Sequence, residues 1–156
     1  MVYWMSSREY RHIVRFLGTD LDGSLKVPYA LARVRGIGVM LGYAIARAAK
    51  VDTEKRLGFL TDHELQKLEE VARDPVKHGI PSWMLNRRND PVSGKDIQVY
   101  GSDLVFTIRE DIRKEMMIKS WRGIRHSLGL KVRGQRTRTT GRVGTAVGVS
   151  RREARA

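Results

Sequence analysis

Residues 121–142 of the chain read W-R-G-I-R-H-S-L-G-L-K-V-R-G-Q-R-T-R-T-T-G-R. At 100° per residue, Trp121, Ile124 and Leu128 fall within one narrow arc, which predicts a short helix packed along that side. Three basic side chains lie on the adjoining arc: Arg122, Arg125 and His126. Gly129 follows the last periodic residue and predicts the end of the helix. The stretch therefore predicts a helix with one packed side and one basic side.

The composition changes from residue 131 onward. No Leu, Ile, Met, Phe, Tyr or Trp occurs between Lys131 and Ala156, where arginine alternates with Gly, Gln and Thr. These residues supply charge and hydrogen-bond donors but little apolar surface to offset the backbone entropy of ordering. We expect residues 131–156 to be an extended tail that is unfolded in the free protein and ordered on a polyanionic partner.

The same run resembles the signature of a small-subunit ribosomal protein family, the thirteenth of that subunit, called S-eighteen in eukaryotes. Lys131 stands where bacterial members usually have proline, and Thr140-Gly141 where they have Asn-Ala. Both departures, and the ending Val147–Arg152, resemble the archaeal and eukaryotic branch. The positions that match the common pattern are Arg122, Gly123, Arg125, His126, Gly129, Leu130, Val132, Arg133, Gly134, Gln135, Arg136 and Thr137.

The charge of the chain is high and unevenly placed. Its 156 residues carry a net charge of +13, with a pI near 10.6. Residues 121–156 contain ten of the thirty Lys and Arg residues but one of the seventeen acids. A nearly neutral body with a basic end favours a nucleic-acid partner over a merely well-solvated surface.

Enzyme, metal and membrane functions are disfavoured by the residues themselves. The chain has no cysteine, and the spacing of His12, His63, His78 and His126 is not that of metal ligands. No phosphate-binding lysine loop or nucleophile elbow occurs, so we predict no catalysis, no cofactor and no small-molecule substrate. The uncharged run Gly36–Ala46 is too short to span a bilayer, and no secretory signal begins the chain. We expect a cytoplasmic protein without a membrane partner.

The chain divides into four predicted parts: residues 1–73, 74–101, 102–130 and 131–156. In the first part, Arg11–Leu17 predicts a strand, and Asp22-Gly23 predicts the turn of a small hairpin or arm. Helices are expected from Pro28 to Gly36, from Val39 to about Lys50, and from a capping box at Thr61 and Glu64.

Gly36-Ile37-Gly38 joins the first two helices and resembles the helix-hairpin-helix and helix-two-turn-helix phosphate grips. Glycines allow the backbone to approach a phosphate, and free N–H groups at a helix start point towards it. An ordinary glycine-linked hairpin is equally consistent with the motif. Tyr43, Arg47 and Lys50 are predicted on the exposed side of the second helix.

Residues 74–101 predict a loop-rich insertion that resembles the archaeal and eukaryotic branch. Trp83 is expected to pack on the body rather than stack on a base, and Arg87 and Arg88 are candidate phosphate contacts. Ser102 is predicted to cap a long helix from Asp103 to about Lys119. Its expected core-facing stripe comprises Leu104, Val105, Ile108, Ile112 and Met116.

The resemblance covers nearly the whole chain. It implies a mainly α fold: a small helical body with the Gly-Ile-Gly helix-two-turn-helix motif, a long amphipathic helix and an extended basic C-terminal tail. It also implies a place in the head of the small ribosomal subunit. The implied partners are small-subunit rRNA, P-site tRNA, a neighbouring protein of the S-nineteen family, and large-subunit components across the subunit interface.

The resemblance and the basic spacing together select two sets of candidate binding residues. The rRNA-binding set is Gly36, Gly38, Tyr43, Arg47, Lys50, Arg87, Arg88, Arg122, Arg125, His126, Arg133, Gln135, Arg136, Thr137, Arg138 and Arg142. The set near tRNA is Ser150, Arg151, Arg152 and Arg155. The alternative is a DNA-binding module of the helix-hairpin-helix class, but the arginine–glycine–threonine tail favours threading between irregular RNA helices.

Overall fold

The computed structural model of the chain describes residues 10–139, which form a mainly helical fold with one two-stranded sheet. The fold class predicted from the sequence is therefore confirmed. The strands and helices, in chain order, are β1 (Ile13–Phe16), β2 (Thr19–Asp22), α1 (Val27–Leu31), α2 (Val39–Ala48), α3 (Asp62–Arg73), α4 (Gly101–Met117) and α5 (Trp121–Ser127). Short 3-10 turns occupy Leu57–Phe59 and Ser82–Met84. The chain forms two compact units, the first ending at Thr107 and the second beginning at Ile108.

The hairpin β1–β2 reverses at Leu17-Gly18. Both residues have positive φ angles, 46° and 73°, as a two-residue turn between antiparallel strands requires. The prediction that Asp22-Gly23 makes the hairpin turn is wrong, because Gly23 N–H instead donates to the carbonyl of His12 and extends the pairing. The Asp22 carboxylate then accepts from the backbone N–H of Ser24 at 2.8 Å and turns the chain towards α1.

The core of the first unit lies between the hairpin, α1, α2 and α3. Gly42 lets α2 approach α1 closely, since a Cβ at that position would lie 2.7 Å from the carbonyl oxygen of Pro28. The largest fully buried side chains are Leu21, Leu31, Ile45, Leu57, Leu68, Val27, Val34 and Pro28. They come from β2, from all three helices and from the turns between them, so these elements form one hydrophobic core.

The helix boundaries depart from expectation at α1, which ends at Leu31 rather than at Gly36. The N–H groups of Arg33 and Val34 bond to carbonyls three residues back, so the chain continues as tight turns. Val34 remains buried. The cap of α3 is confirmed: Thr61 Oγ1 accepts from Glu64 N–H, and the Glu64 carboxylate accepts from Thr61 N–H at 2.8 Å.

The insertion contains one 3-10 turn and a hairpin-like loop. Arg87 pairs with Ile97 across this loop, and the buried Asp90 carboxylate lies inside it. Asp90 accepts from Arg87 Nε at 2.6 Å, and from Ser93 through N–H at 2.9 Å and Oγ–H at 2.8 Å. These hydrogen bonds, the one from Arg87 foremost, lower the pKa of Asp90 to about 2. The ionised Asp90 carboxylate therefore stabilises the loop by joining Arg87 and Ser93.

Three sequence predictions for the later part of the chain are wrong. Trp83 is 68% exposed rather than packed on the body. Ser102 lies inside α4 rather than capping it, because the helix begins at Gly101. The predicted stripe is also not a core face, since α4 has no buried residue. Periodicity identifies an apolar side of a helix, but not whether the chain itself covers it.

Candidate nucleic-acid interface

The short helix α5 is closed by a hydrogen-bonded cap at each end. Ser120 Oγ accepts from Gly123 N–H at 3.0 Å and caps the start. At the other end, Gly129 has a φ of 65° and donates to the carbonyl of His126, while Leu130 donates to that of Arg125. This pair of bonds is a Schellman motif. The prediction that Gly129 ends the helix is thus confirmed.

The side of α5 that packs on α4 is marked by a glycine. Gly123 is buried, and a Cβ there would lie 2.1 Å from the carbonyl oxygen of Glu115. The predicted packed arc is instead exposed, at 72% for Trp121, 43% for Ile124 and 65% for Leu128. The prediction is wrong because the closest approach between the helices needs a residue without a side chain, and Gly123 lies 200° around the helix from Trp121.

Arg125 is oriented by contacts on both sides. Its guanidinium carbon lies 5.9 Å from the centroid of the Trp121 ring, and its Nε donates to the carbonyl of Lys131 at 3.0 Å. The predicted separation of a packed side from a basic side is therefore wrong here, because Trp121 and Arg125 are four residues apart and meet on the helix surface. Arg122 is exposed and His126 is half-buried.

The chain leaves α5 through a basic segment that the structure places in neither a helix nor a strand, residues 131–139. The predicted contacts Arg133, Gln135, Arg136 and Arg138 are exposed there, while Thr137 is half-buried. Seven Lys and Arg residues and no acid occur between Met116 and Thr139. Arg142, Ser150, Arg151, Arg152 and Arg155 lie outside the described residues, as does most of the predicted tail. This end of the chain therefore combines an oriented short helix with a purely cationic segment.

The two glycines of the Gly-Ile-Gly turn have different surroundings in the first unit. Gly36 has a φ of 102°, and a Cβ there would lie 2.4 Å from the carbonyl oxygen of Val99. Its carbonyl accepts from Gln98 Nε2 at 2.7 Å, so the insertion contacts this residue directly. Gly38 precedes α2 with an extended backbone, no side chain caps this helix, and a Cβ at Gly38 would meet no atom within 4 Å. Gly38 is the glycine that leaves the start of α2 open.

The exposed side of α2 carries the other predicted contacts of this unit. Arg47 and Lys50 are exposed, as expected. Tyr43 is half-buried and meets Tyr29 edge to face, with 6.1 Å between the ring centroids. Hydrogen bonding with Tyr29 raises the pKa of Tyr43 above its ordinary value. Sequence reasoning missed Tyr29, whose only signal was a large aromatic residue between the buried Pro28 and Ala30.

The two candidate arginines of the insertion are placed differently. Arg87 is half-buried and paired with Asp90, whereas Arg88 is exposed. A phosphate contact by Arg87 would compete with this ion pair, so Arg88 is the better placed of the two. Within residues 10–139, no group of three or more His, Asp or Glu side chains is arranged to hold a metal ion. No helix in the same range is long and apolar enough to cross a membrane.

Comparison with known proteins points to one family. A sequence model of the family described as Ribosomal protein S13/S18 matches residues 15–143. The chain is 56% identical over 147 residues to small ribosomal subunit protein uS13 of Staphylothermus marinus, covering 94% of this chain and 97% of that protein. The protein of the same name from Hyperthermus butylicus is 57% identical over 145 residues, covering 93% and 96%. That of Methanocaldococcus jannaschii is 50% identical over 149 residues, covering 96% and 99%.

Proposed function

The chain belongs to the ribosomal protein S13/S18 family, and from that membership we propose that α5 and the segment after it bind small-subunit rRNA. As a member, it is a structural constituent of the small ribosomal subunit, located on the ribosome in the cytoplasm, and not an enzyme. The proposal concerns which parts of this constituent contact RNA.

One observation carries the proposal: the basic residues between Met116 and Thr139 are not accompanied by any acid. Surface cations of the body form ion pairs with acids of the same body, such as Arg73 with Glu69 and Lys77 with Asp74. RNA phosphates would supply counter-charges to such a run of cations. Neutralising them releases condensed counterions and supplies a salt-dependent share of the affinity.

The remaining contacts rest on the family resemblance together with the charge. The C-terminal residues Ser150, Arg151, Arg152 and Arg155 are proposed to approach P-site tRNA. Arg47, Lys50 and Arg88 are exposed cations suited to further rRNA phosphates. We also propose two further partners: a neighbouring protein of the S-nineteen family, and components of the large subunit across the subunit interface.

Co-sedimentation with small subunits tests the rRNA proposal. The double variant Arg122→Gln with Arg133→Gln removes one charge from α5 and one from the segment after it. The matched control, Arg73→Gln with Lys77→Gln, removes two charges from ion pairs of the body. After a moderate salt wash on a sucrose gradient, we expect the first variant to be lost from the small-subunit peak and the control to remain. Equal retention of both would show that the basic segment does not hold the protein on the subunit.

A further inference from the structure

Trp121 is an exposed tryptophan whose exposure is fixed by the packing of α5. Gly123 lies against the end of α4, and Trp121 is two residues away, which places it 200° around the helix. Rotating α5 to bury the ring would move Gly123 away and bring a side chain against the carbonyl of Glu115. The caps at Ser120 and Gly129 hold the ends of the same helix. The ring is therefore held outward, with 72% of the residue exposed.

One cation accompanies this ring. Arg125 places its guanidinium 5.9 Å from the ring centroid and is itself held by the carbonyl of Lys131. Lys119 and Arg122 lie close to Trp121 in the sequence, and no acid occurs between Met116 and Thr139. An acidic partner would pair with the cations only, and a neutral apolar partner would pack on the ring only. A polyanion that also carries planar groups can contact both. Single-stranded nucleic acid has this combination of phosphates and bases.

We propose that Trp121 stacks on an unpaired nucleobase of the rRNA held by α5, while Arg122 and Arg125 contact the adjacent phosphates. This proposal rests on the proposed rRNA binding and assigns a base-contacting residue to it. Arg125 then has two roles, since it interacts with the face of the Trp121 ring and supplies charge beside the stacked base. Ile124 and Leu128 continue the exposed arc and would border the base with apolar surface.

Filter binding to deproteinised small-subunit rRNA tests the stack. We expect Trp121→Ala to weaken binding by roughly 5- to 150-fold, the range for loss of one base–aromatic stack. Trp121→Phe should recover much of the affinity, and Trp121→Leu should not, because leucine keeps apolar surface without an aromatic face. The matched control is Trp83→Ala, which removes a tryptophan of similar exposure, 68%, from the insertion. It should bind like the unaltered protein.

Inorganic polyphosphate serves as a second probe because it carries the charge of RNA without bases. Trp121→Ala should bind it with unchanged affinity and salt dependence, whereas Arg122→Ala should bind both polymers less well. If Trp121→Ala binds rRNA normally while Arg122→Ala does not, the stack is wrong and the rRNA proposal stands. If Trp121→Ala binds rRNA normally but is not incorporated into small subunits, the ring contacts a protein instead. A thermal melt with unchanged midpoint confirms that the variant is folded.

Discussion

Gly123 allows α5 to lie directly against the end of α4, because it has no Cβ. A Cβ at this position would lie 2.1 Å from the carbonyl oxygen of Glu115 and 2.8 Å from Cα of Met116. Both atoms belong to the backbone, so neither moves aside cheaply. We expect Gly123→Ala to destabilise the α4–α5 contact by about 1–3 kcal/mol, the usual cost of overpacking. Hydrogen exchange should show faster exchange of the α5 amides.

The control for that substitution is Gly38→Ala, which adds the same methyl group where no atom lies within 4 Å. Its amide exchange should match that of the unaltered protein. If the α5 amides of Gly123→Ala exchanged no faster than those of the unaltered protein, the contact between α4 and α5 would contribute no stability to α5.

Asp90 predicts a pH-dependent loosening of the insertion. Its pKa is lowered to about 2 by the Arg87 and Ser93 hydrogen bonds, below the ordinary value of 3.8. A carboxylate with a lowered pKa stabilises the folded loop above its unfolded pKa, and this stabilisation is lost as the pH falls through the folded value. We expect the amide resonance of Ser93 to shift with a midpoint near pH 2, as the Asp90 carboxylate is protonated. The same titration of Asp90→Asn should show no such shift, and a midpoint near 4 would contradict the lowered pKa.

In α5, the sequence predicts backbone conformation better than it predicts which residues contact another helix. Gly129 at the end of α5 was predictable because a local backbone conformation, a positive φ, selects glycine there. The role of Gly123 was not, because it depends on Glu115, which a helical wheel of α5 does not contain. The same omission placed Trp121 in the core, although the structure leaves it exposed.

Among the helices, α3 has the start that is defined most completely by local sequence. Thr61 and Glu64 form a reciprocal cap, so Thr61→Ala should lower the free energy of unfolding by about 0.5–2 kcal/mol. Urea denaturation should show a lower midpoint with an unchanged slope. Thr61→Ser keeps the hydroxyl and should restore most of the loss. If serine and alanine were equally destabilising, methyl packing rather than the cap would explain the effect.

The start of α2 is expected to bind phosphate through its uncapped N–H groups, which follow Gly38. Gly38→Val places a branched side chain where a phosphate would approach, so rRNA affinity should fall. Helical content by circular dichroism should be nearly unchanged, because a Cβ at residue 38 points into open space. Unchanged affinity in a filter-binding assay would reduce the Gly-Ile-Gly turn to a connector between two helices.

The elements were predictable where their signals are local, and less so where they depend on distant contacts. The capping box of α3 and the glycine stop of α5 involve residues that are neighbours in sequence. The hairpin was misplaced because Asp22-Gly23 has turn-forming residues but is held in the pairing by His12. The apolar stripe of α4 was predicted to face a core, yet α4 has no buried residue.

For the whole chain, the family relationship and the charge distribution predict separate roles for the body and the C-terminal end. Removing residues 144–156 leaves α5 and the basic segment through Arg142 in place, so assembly into the small subunit should continue. Binding of P-site tRNA should weaken, because Arg151, Arg152 and Arg155 are removed. Sucrose gradients measure assembly, and tRNA binding to the purified variant subunits measures the second effect.

The two measurements distinguish the roles of this end. If the shortened protein failed to enter subunits, the C-terminal residues would be needed mainly for rRNA binding. If it assembled and tRNA binding were unaltered, the proposed tRNA contact would be wrong. Neither result bears on α5, which the truncation does not touch.

The hydrogen bond from Gln98 to the carbonyl of Gly36 joins residues that are 62 positions apart, and this separation has a consequence during synthesis. Translation adds about 5–20 residues per second, so roughly 3–12 s pass between the two residues. Throughout that interval the nascent chain contains the Gly-Ile-Gly turn but not the residues that later contact Gly36. Until residue 98 is added, the Gly36 carbonyl lacks its Gln98 donor, and the turn lacks a contact that the finished protein makes. The surroundings of the Gly-Ile-Gly turn are therefore completed only after the insertion has been synthesised.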